Sequence, residues 1–312
     1  MPTENTATGT AGTPRTVDGP VADRPAVDAA LARRLVDTQF PQWAGLPLRA
    51  FEPAGSDHAL YRLGEELMVR LPRHPGAIGQ AAKESRWLPR LAPHLPLAVP
   101  EPVAVGEPGF GYPWQWAVSR WLSGDVATVD ALADSREAAT DLADFLLALR
   151  RCTPDPDGHD AAPATGPDQL ARRDAGTRAA IRQHADVFDA TAATAVWEAA
   201  LAAPAWDRPP VWCHGDMHTG NLLTTRGRLS AVIDFGELAL GDPACDLTIA
   251  YTLMSPRSRS VFRAALGVDD ATWARGRGWA LATGLNAYTT YAAVNSRVAA
   301  QTTRQITEAL NG

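Results

Sequence analysis

Lysine is almost missing from this chain. Of its 29 lysines and arginines, Lys83 is the one lysine. Chemistry that requires an ammonium group therefore has a single candidate. Cysteine is scarce too, at three residues, Cys152, Cys213 and Cys245. An odd, widely spaced set argues against a disulfide framework and fits a reducing compartment such as the cytoplasm. No run of about 18 apolar residues occurs, so no membrane span is expected. The opening "MPTENTATGTAGTPRTVDGPVADRP" lacks the apolar segment of a secretory signal. Its Thr, Gly, Pro and Ala content can bury little surface, which predicts a disordered tail over residues 1–24. A formal net charge of −6 argues against nonspecific binding to nucleic acid.

What remains is a chain of 312 residues, 46% of them hydrophobic. That is enough for one large core or two lobes without disulfide or metal staples. Leu31, Leu35 and Val36 share a face at helical spacing, which predicts a helix over 27–40 ended by Pro41. "HALYRLG" and "EELMVRLP" read as a hairpin. A helix is expected over 79–92, bent or ended by Pro89. "VPEPVAVG" and "PWQWAVSRWL" are strand candidates around a Gly/Pro-rich turn. Beyond "SGD" the texture turns helical. Leu142, Phe145, Leu146 and Leu149 form one stripe, residues 153–168 read as a loop, and an alanine-rich helix is expected over 177–203. Strands thus dominate residues 45–121 and helices 125–312, which predicts two lobes joined near Arg120–Gly124.

One decamer concentrates the chemistry: "HGDMHTGNLL", residues 214–223. His214 and His218 have the spacing of two zinc ligands on one helix face, with Cys213 and Asp216 nearby. Gly215 and Gly220 break such a helix, however, and a loop feeding a strand is the more natural reading. Thirteen residues past Asn221 stands Asp234, at the end of the short apolar strand in "LSAVIDFGELALGDPACDL". Two strands joined by "TTRGR" would bring Asn221 and Asp234 side by side as oxygen ligands for a hard cation such as Mg²⁺. Asp216 would lie beside the ion and could take a proton from an alcohol. This is the spacing of a kinase catalytic loop: H-x-D, four residues, Asn, and later D-F-G.

"HGDMHTGN" followed by "VIDFGELALGDPACDL" resembles the aminoglycoside phosphotransferase family, small-molecule kinases. The resemblance implies an α+β, two-lobed protein-kinase-like fold. A small β-rich nucleotide-binding lobe (25–121) would precede a larger, mostly helical catalytic and substrate-binding lobe (122–312). It also implies roles: Asp216 as catalytic base, Asn221 and Asp234 as magnesium ligands, Asp246 and His214 as braces of the loop. "AGSDHALYRLG" occupies the place of the nucleotide-covering hairpin, where Gly55 and Ser56 would offer donors to phosphate. Where kinases carry a strand lysine, "LMVRLPR" has Arg70, with "RxPR" similar to a macrolide-kinase branch. Arg70 is assigned to the phosphates and Glu84 as its partner; the rival is Lys83 on the following helix. Backbone groups of Arg120 to Leu122 would meet the purine.

The expected activity is transfer of the γ-phosphoryl group of ATP or GTP to a hydroxyl of a small molecule, with an antibiotic of aminoglycoside type first. Macrolides, nucleoside antibiotics, choline, homoserine, sugars, or a nucleotide-binding pseudokinase are the alternatives. Glu237 and Asp242 could help build an acidic acceptor pocket. The neutral Asn286, Tyr288, Tyr291 and Asn295 would suit a less charged acceptor. "RGRG" at 275–278 reads as a solvated loop.

Overall fold

The computed structural model describes residues 27–51, 57–153 and 169–312. The expected tail, the hairpin tip with Gly55 and Ser56, and nearly all of the 153–168 loop lie outside the described residues.

Helix α1 (Ala29–Gln39) is capped by the Asp28 carboxylate, which accepts from the Leu31 N–H at 2.7 Å. Strands β1 (Leu48–Ala50), β2 (His58–Leu63) and β3 (Leu67–Pro72) follow, then α2 (Gln80–Leu91), β4 (Pro102–Gly106) and β5 (Trp116–Arg120). The five strands form one antiparallel sheet in the order β1-β2-β3-β5-β4. Successive side chains on a strand point to opposite faces. Ala59, Tyr61, Leu63, Leu67, Val69 and Leu71 therefore pack with Leu35 and Val36 of α1 in one core. The even positions, His58 and Arg70, are buried on the other face.

After a short β6 (Asp125–Val126) and α3 (Val129–Leu132), the chain is mostly helical. It runs through α4 (Arg136–Arg151), α5 (Asp174–Gln183) and α6 (Ala190–Ala202). A β insertion follows: β7 (Val211–Cys213), β8 (Leu222–Thr225), β9 (Arg228–Val232) and β10 (Ala239–Gly241). Then come α7 (Ile249–Thr252), α8 (Pro256–Leu266), α9 (Asp270–Tyr291) and α10 (Ser296–Asn311). The predicted stripe of Leu142, Phe145, Leu146 and Leu149 is fully buried, in the larger core. Trp87, Leu88 and Leu91 of α2 join that same core, so α2 touches both halves of the molecule.

Helix α2 follows the expected span closely, with Pro89 inside it rather than at its end. Two local expectations need correction. The single helix expected over 177–203 is two, because the Asp189 side chain accepts from the N–H groups of Thr191 and Ala192, both at 2.9 Å, and starts α6 afresh. "RGRG" is not a solvated loop but the middle of α9. Arg275 is 5% exposed, and Arg277 donates to the last-turn carbonyls of Ala309 (2.6 Å) and Leu310 (2.9 Å). Gly276 and Gly278 sit there because a Cβ would meet the Leu247 side chain at 2.6 Å and the Ala200 Cβ at 2.3 Å. A helix packed that closely outweighs their poor helix propensity. Among the described residues, no helix is long and apolar enough to cross a membrane.

Candidate active site

Strand β7 pairs with β10, Cys213 opposite Ala239, and then turns sharply at Gly215. Gly215 has φ +86°, and a Cβ there would stand 2.6 Å from the Glu237 carbonyl oxygen, so only glycine fits. Residues 214–218 are a loop, followed by one 3₁₀ turn at Thr219–Asn221 and then β8. Off a helix, the four-residue spacing of the histidines loses its zinc meaning. His214 is fully buried and both its ring nitrogens are engaged. Nδ1 accepts the Asp216 N–H at 3.2 Å, so Nε2 carries the proton and donates to the Ile233 carbonyl at 3.0 Å. The imidazole thus ties the Asp216 loop to the strand that leads to Asp234.

Asp246, buried behind the loop, accepts the His214 N–H at 3.1 Å and the Gly215 N–H at 2.8 Å. It braces the turn through its backbone. Asn221 reaches back through Nδ2 to the Asp216 carbonyl at 2.9 Å and carboxylate at 3.1 Å, which leaves its Oδ1 to face another partner. Leu222 pairs with Val232 across β8 and β9, and the Ile233 N–H donates to the Asn221 carbonyl at 2.9 Å. Asn221 and Asp234 therefore stand at adjacent strand ends. Asp234 adopts φ +64°, a left-handed conformation that aspartate tolerates better than most residues.

The opposite wall is Arg70. One arm of its guanidinium, Nη1, donates to Glu84 at 2.6 Å; the other, Nη2, donates to Asp234 at 3.1 Å. The other oxygen of Glu84 accepts the Phe235 N–H at 3.0 Å. Lys83 points to the same segment, yet its Nζ donates to the Gly236 carbonyl at 2.5 Å. Lys83 and Glu84 thus both reach the turn after Asp234, despite being about 100° apart on the helix. Of the two cations, Arg70 is the one set between the carboxylates.

Burial alone would raise the carboxylic pKa values here. At Asp216 it is outweighed by the hydrogen bond and charge of His218, 3.4 Å away, and the pKa falls to about 2. At Asp234 burial is outweighed by the charge of Arg70, and the pKa is lowered too. Both groups are ionised at neutral pH. With the Asn221 carbonyl they offer the hard oxygen donors that suit Mg²⁺.

Arg120 and Trp121 give their N–H groups to the carbonyls of Glu101 (2.8 Å) and Glu66 (2.7 Å). The Arg120 side chain pairs with Glu66 at 3.0 Å. Among the described residues, Leu122 is the one of the three whose N–H has no such partner. Asp242, expected in an acidic pocket, is engaged by Arg275 through Nε (2.7 Å) and Nη2 (3.1 Å). Tyr288 packs edge-on between His184 and Phe188, and Asn295 caps α10, so both serve the fold. Sequence reasoning weighed His218 as a zinc ligand and missed its place 3.4 Å from the Asp216 carboxylate. Arg275 was missed because its partner is 33 residues away in sequence.

A cavity of about 220 Å³ opens beside this loop. Gly215, Glu237, Arg173, Trp206 and Trp279 are among the residues that line it. Arg173 stacks over the Trp279 ring at 4.6 Å.

A β-sheet half set over a helical half, with these loops facing each other, is a protein-kinase-like fold. The profile of the phosphotransferase enzyme family matches residues 48–279, and the chain belongs to that family. Among solved structures, the GDP and kanamycin complex of APH(2")-IIia is similar with a TM-score of 0.68 at 19% identity, covering 90% of this chain and 96% of that one. The streptomycin–ATP–APH(2")-IIa ternary complex gives 0.58 at 16% identity, covering 92% and 97%. Macrolide 2'-phosphotransferase MphH from Brachybacterium faecium gives 0.59 at 24% identity, covering 88% and 98%. No curated protein sequence matches the chain.

Proposed function

We propose that this phosphotransferase moves the γ-phosphoryl group of ATP or GTP to a hydroxyl of a small molecule, most plainly an antibiotic, and so confers resistance by modification. Residues 25–121 would hold the nucleotide and residues 122–312 the catalytic groups and acceptor. The observation that carries the reading is the meeting of Asp216, Asn221, Asp234 and Arg70 across 164 residues of sequence. Asn221 and Asp234 would hold Mg²⁺, which when bound would offset the charge of the phosphates. Asp216 orients the alcohol and accepts its proton. Arg70, placed by Glu84, holds the phosphates; arginine does this with a planar fork in place of lysine's point charge. The purine would meet the backbone at Leu122, and Ser56 would donate to phosphate. Catalysis is then positioning and electrostatics.

A second acceptor class has its own support. With Asp242 engaged by Arg275 and Arg173 lying near Glu237, the described wall of the cavity is not strongly acidic. Its indoles suit a less charged glycoside such as a macrolide at least as well as a polycationic aminoglycoside.

The test is mass spectrometry of aminoglycosides, macrolides, nucleoside antibiotics, choline and sugars after incubation with Mg²⁺, ATP or GTP. A product mass one phosphoryl group higher with wild type, and not with Asp216→Asn, supports the kinase and names its acceptor. Bound nucleotide with no product from any acceptor class would favour a binding protein without turnover.

A further inference from the structure

The histidines of the motif hold no zinc-like geometry, but sulfur does gather next to them. Cys213 closes β7, one residue before His214. Cys245 and Asp246 lie in the 3₁₀ segment Pro243–Thr248 that follows β10. The two sulfurs and a carboxylate oxygen of Asp246 all lie within 4.8 Å of one another. The Cys245 Sγ stands 3.8 Å from Asp246 Oδ1. Cys213 and Asp246 are buried and Cys245 is half-buried. Both cysteines line the cavity beside Gly215 and Glu237, which gives a small ion a way in.

We propose that Cys213, Cys245 and Asp246 form a site for a thiophilic divalent cation of the zinc or cadmium type, with the cavity supplying a water as fourth ligand. The geometry is close to what such an ion needs. Zinc–sulfur and zinc–oxygen bonds of about 2.3 and 2.0 Å set tetrahedral donor–donor edges of roughly 3.5–3.8 Å. The Cys245–Asp246 edge, at 3.8 Å, is close to that length, and the other edges need to close by no more than about 1.3 Å. Two thiolates select a soft ion over Mg²⁺, whose oxygen donors lie at Asn221 and Asp234.

The outer shell is also in place. The Asp246 carboxylate is oriented by the His214 and Gly215 N–H groups, and each of its oxygens retains a lone pair for a metal. Charge points the same way. At Cys213 the hydrogen bond with Cys245 lowers the thiol pKa, but burial and the nearby carboxylates outweigh it and leave the value raised. At Cys245 that hydrogen bond and burial both raise it, and burial raises the Asp246 carboxyl. Without metal the thiols stay protonated. A divalent cation supplies the compensating charge that lets them ionise, so binding releases two protons. Because Asp246 also fixes the backbone of the Asp216 loop, an ion here would slow phosphoryl transfer. That consequence rests on the proposed function; the binding itself does not.

The experiment is titration of the reduced full chain with Cd²⁺ alone, read by the ultraviolet thiolate-to-cadmium absorbance, with Co²⁺ and its visible bands as a second probe. One equivalent should saturate, with intensity for two thiolates. Apparent affinity should climb about a hundredfold per pH unit while both thiols remain protonated. Cys245→Ser should halve the band and weaken binding by more than the roughly 10–100-fold typical of an outer-shell loss. Cys152→Ser should leave both unchanged. Cys245 is half-buried, so its serine variant is the one to rely on, with a retained cooperative thermal transition as the folding control. No band at one equivalent overturns the proposal, as does a band of undiminished intensity and affinity in Cys245→Ser. These readouts do not depend on turnover, so failure of the site and failure of the kinase reading are distinguishable.

Discussion

Arg70 and Asp234, 164 residues apart, meet at 3.1 Å, while the other arm of the same guanidinium holds Glu84 at 2.6 Å. A lysine has one charged nitrogen, whereas an arginine has a fork and can face two carboxylates at once. The arrangement links β3, α2 and the segment after β9 through one buried side chain. Asp234 is 40% exposed, so it can turn toward a metal–nucleotide complex while Glu84, at 5%, keeps Arg70 in place.

This arrangement separates the two candidate cations. Arg70→Met should raise the KM for nucleotide and lower kcat, because the phosphates lose their positioning group and Glu84 is left buried without its cation. Lys83→Met should leave the nucleotide KM within about threefold of wild type, since its Nζ serves the Gly236 carbonyl. Steady-state kinetics with varied nucleotide decide it, and the reverse order would hand the role to Lys83.

Breaking the Arg70–Glu84 pair from one side should also cost stability. Glu84→Ala leaves a buried guanidinium short of a partner, and such losses cost about 3–5 kcal/mol. Replacing both residues with apolar ones of similar volume should cost much less. Urea unfolding of the single variants and the double variant measures the difference, and a double-variant loss equal to the sum of the two single losses would mean that the pair is not coupled.

Most of the candidate site was legible because its residues cluster in two short motifs whose spacing has a mechanical meaning. The sheet was legible for a similar reason: alternate burial on β2 and β3 follows directly from period-two patterning. What was not legible depends on long-range packing. Arg275 reads as one of a basic run until Asp242 comes beside it. Gly276 and Gly278 read as loop until Leu247 and Ala200 press against them. The break between α5 and α6 contains neither glycine nor proline, and only the Asp189 cap marks it. Tyr288 and Asn295 looked free to meet a ligand because their partners, Phe188 and Val298, bear no motif.

Asp216 should contribute acid sensitivity. Its pKa falls from the usual 3.8 to about 2 in the fold, so between those values the unfolded chain binds more protons than the native one. The stability it contributes is complete above about pH 4 and is lost as the pH falls toward 2. Its side chain is half exposed, so the effect is modest. Asp216→Asn should therefore be modestly less stable than wild type at neutral pH and lose less stability between pH 4 and 2, so that the two converge, as read by denaturant melts. The same variant should lower kcat by about 10²–10⁴ if the residue is the general base. A variant with wild-type turnover would remove that role.

Gly215→Ala tests the turn that aims Asp216. The substitution meets φ +86° and a carbonyl oxygen 2.6 Å away. Both the strain and the clash should destabilise by more than about 1 kcal/mol. Turnover should fall further than stability alone explains, because β7 cannot deliver Asp216 at the same angle. Thermal unfolding and kcat, measured well below the transition, separate the two effects; an unchanged kcat would mean that the loop finds its geometry without this glycine.

Arg275 decides between a structural and a surface role for the basic run in α9. Its side chain is 6% exposed, grips both oxygens of Asp242 and donates to the Pro204 carbonyl. Arg275→Ala should cost about 3–5 kcal/mol, because it leaves Asp242 charged and largely enclosed. Asp242→Asn in the same background should recover part of that loss by removing the unpaired charge. The single variant should also make the cavity wall more acidic, since Asp242 no longer has its counterion. Affinity for a polycationic aminoglycoside should then rise relative to that for a less charged macrolide. Calorimetric titration of both ligands at matched stability gives the answer. A stability loss within about 0.5 kcal/mol would instead mean that Arg275 is a solvated surface residue after all.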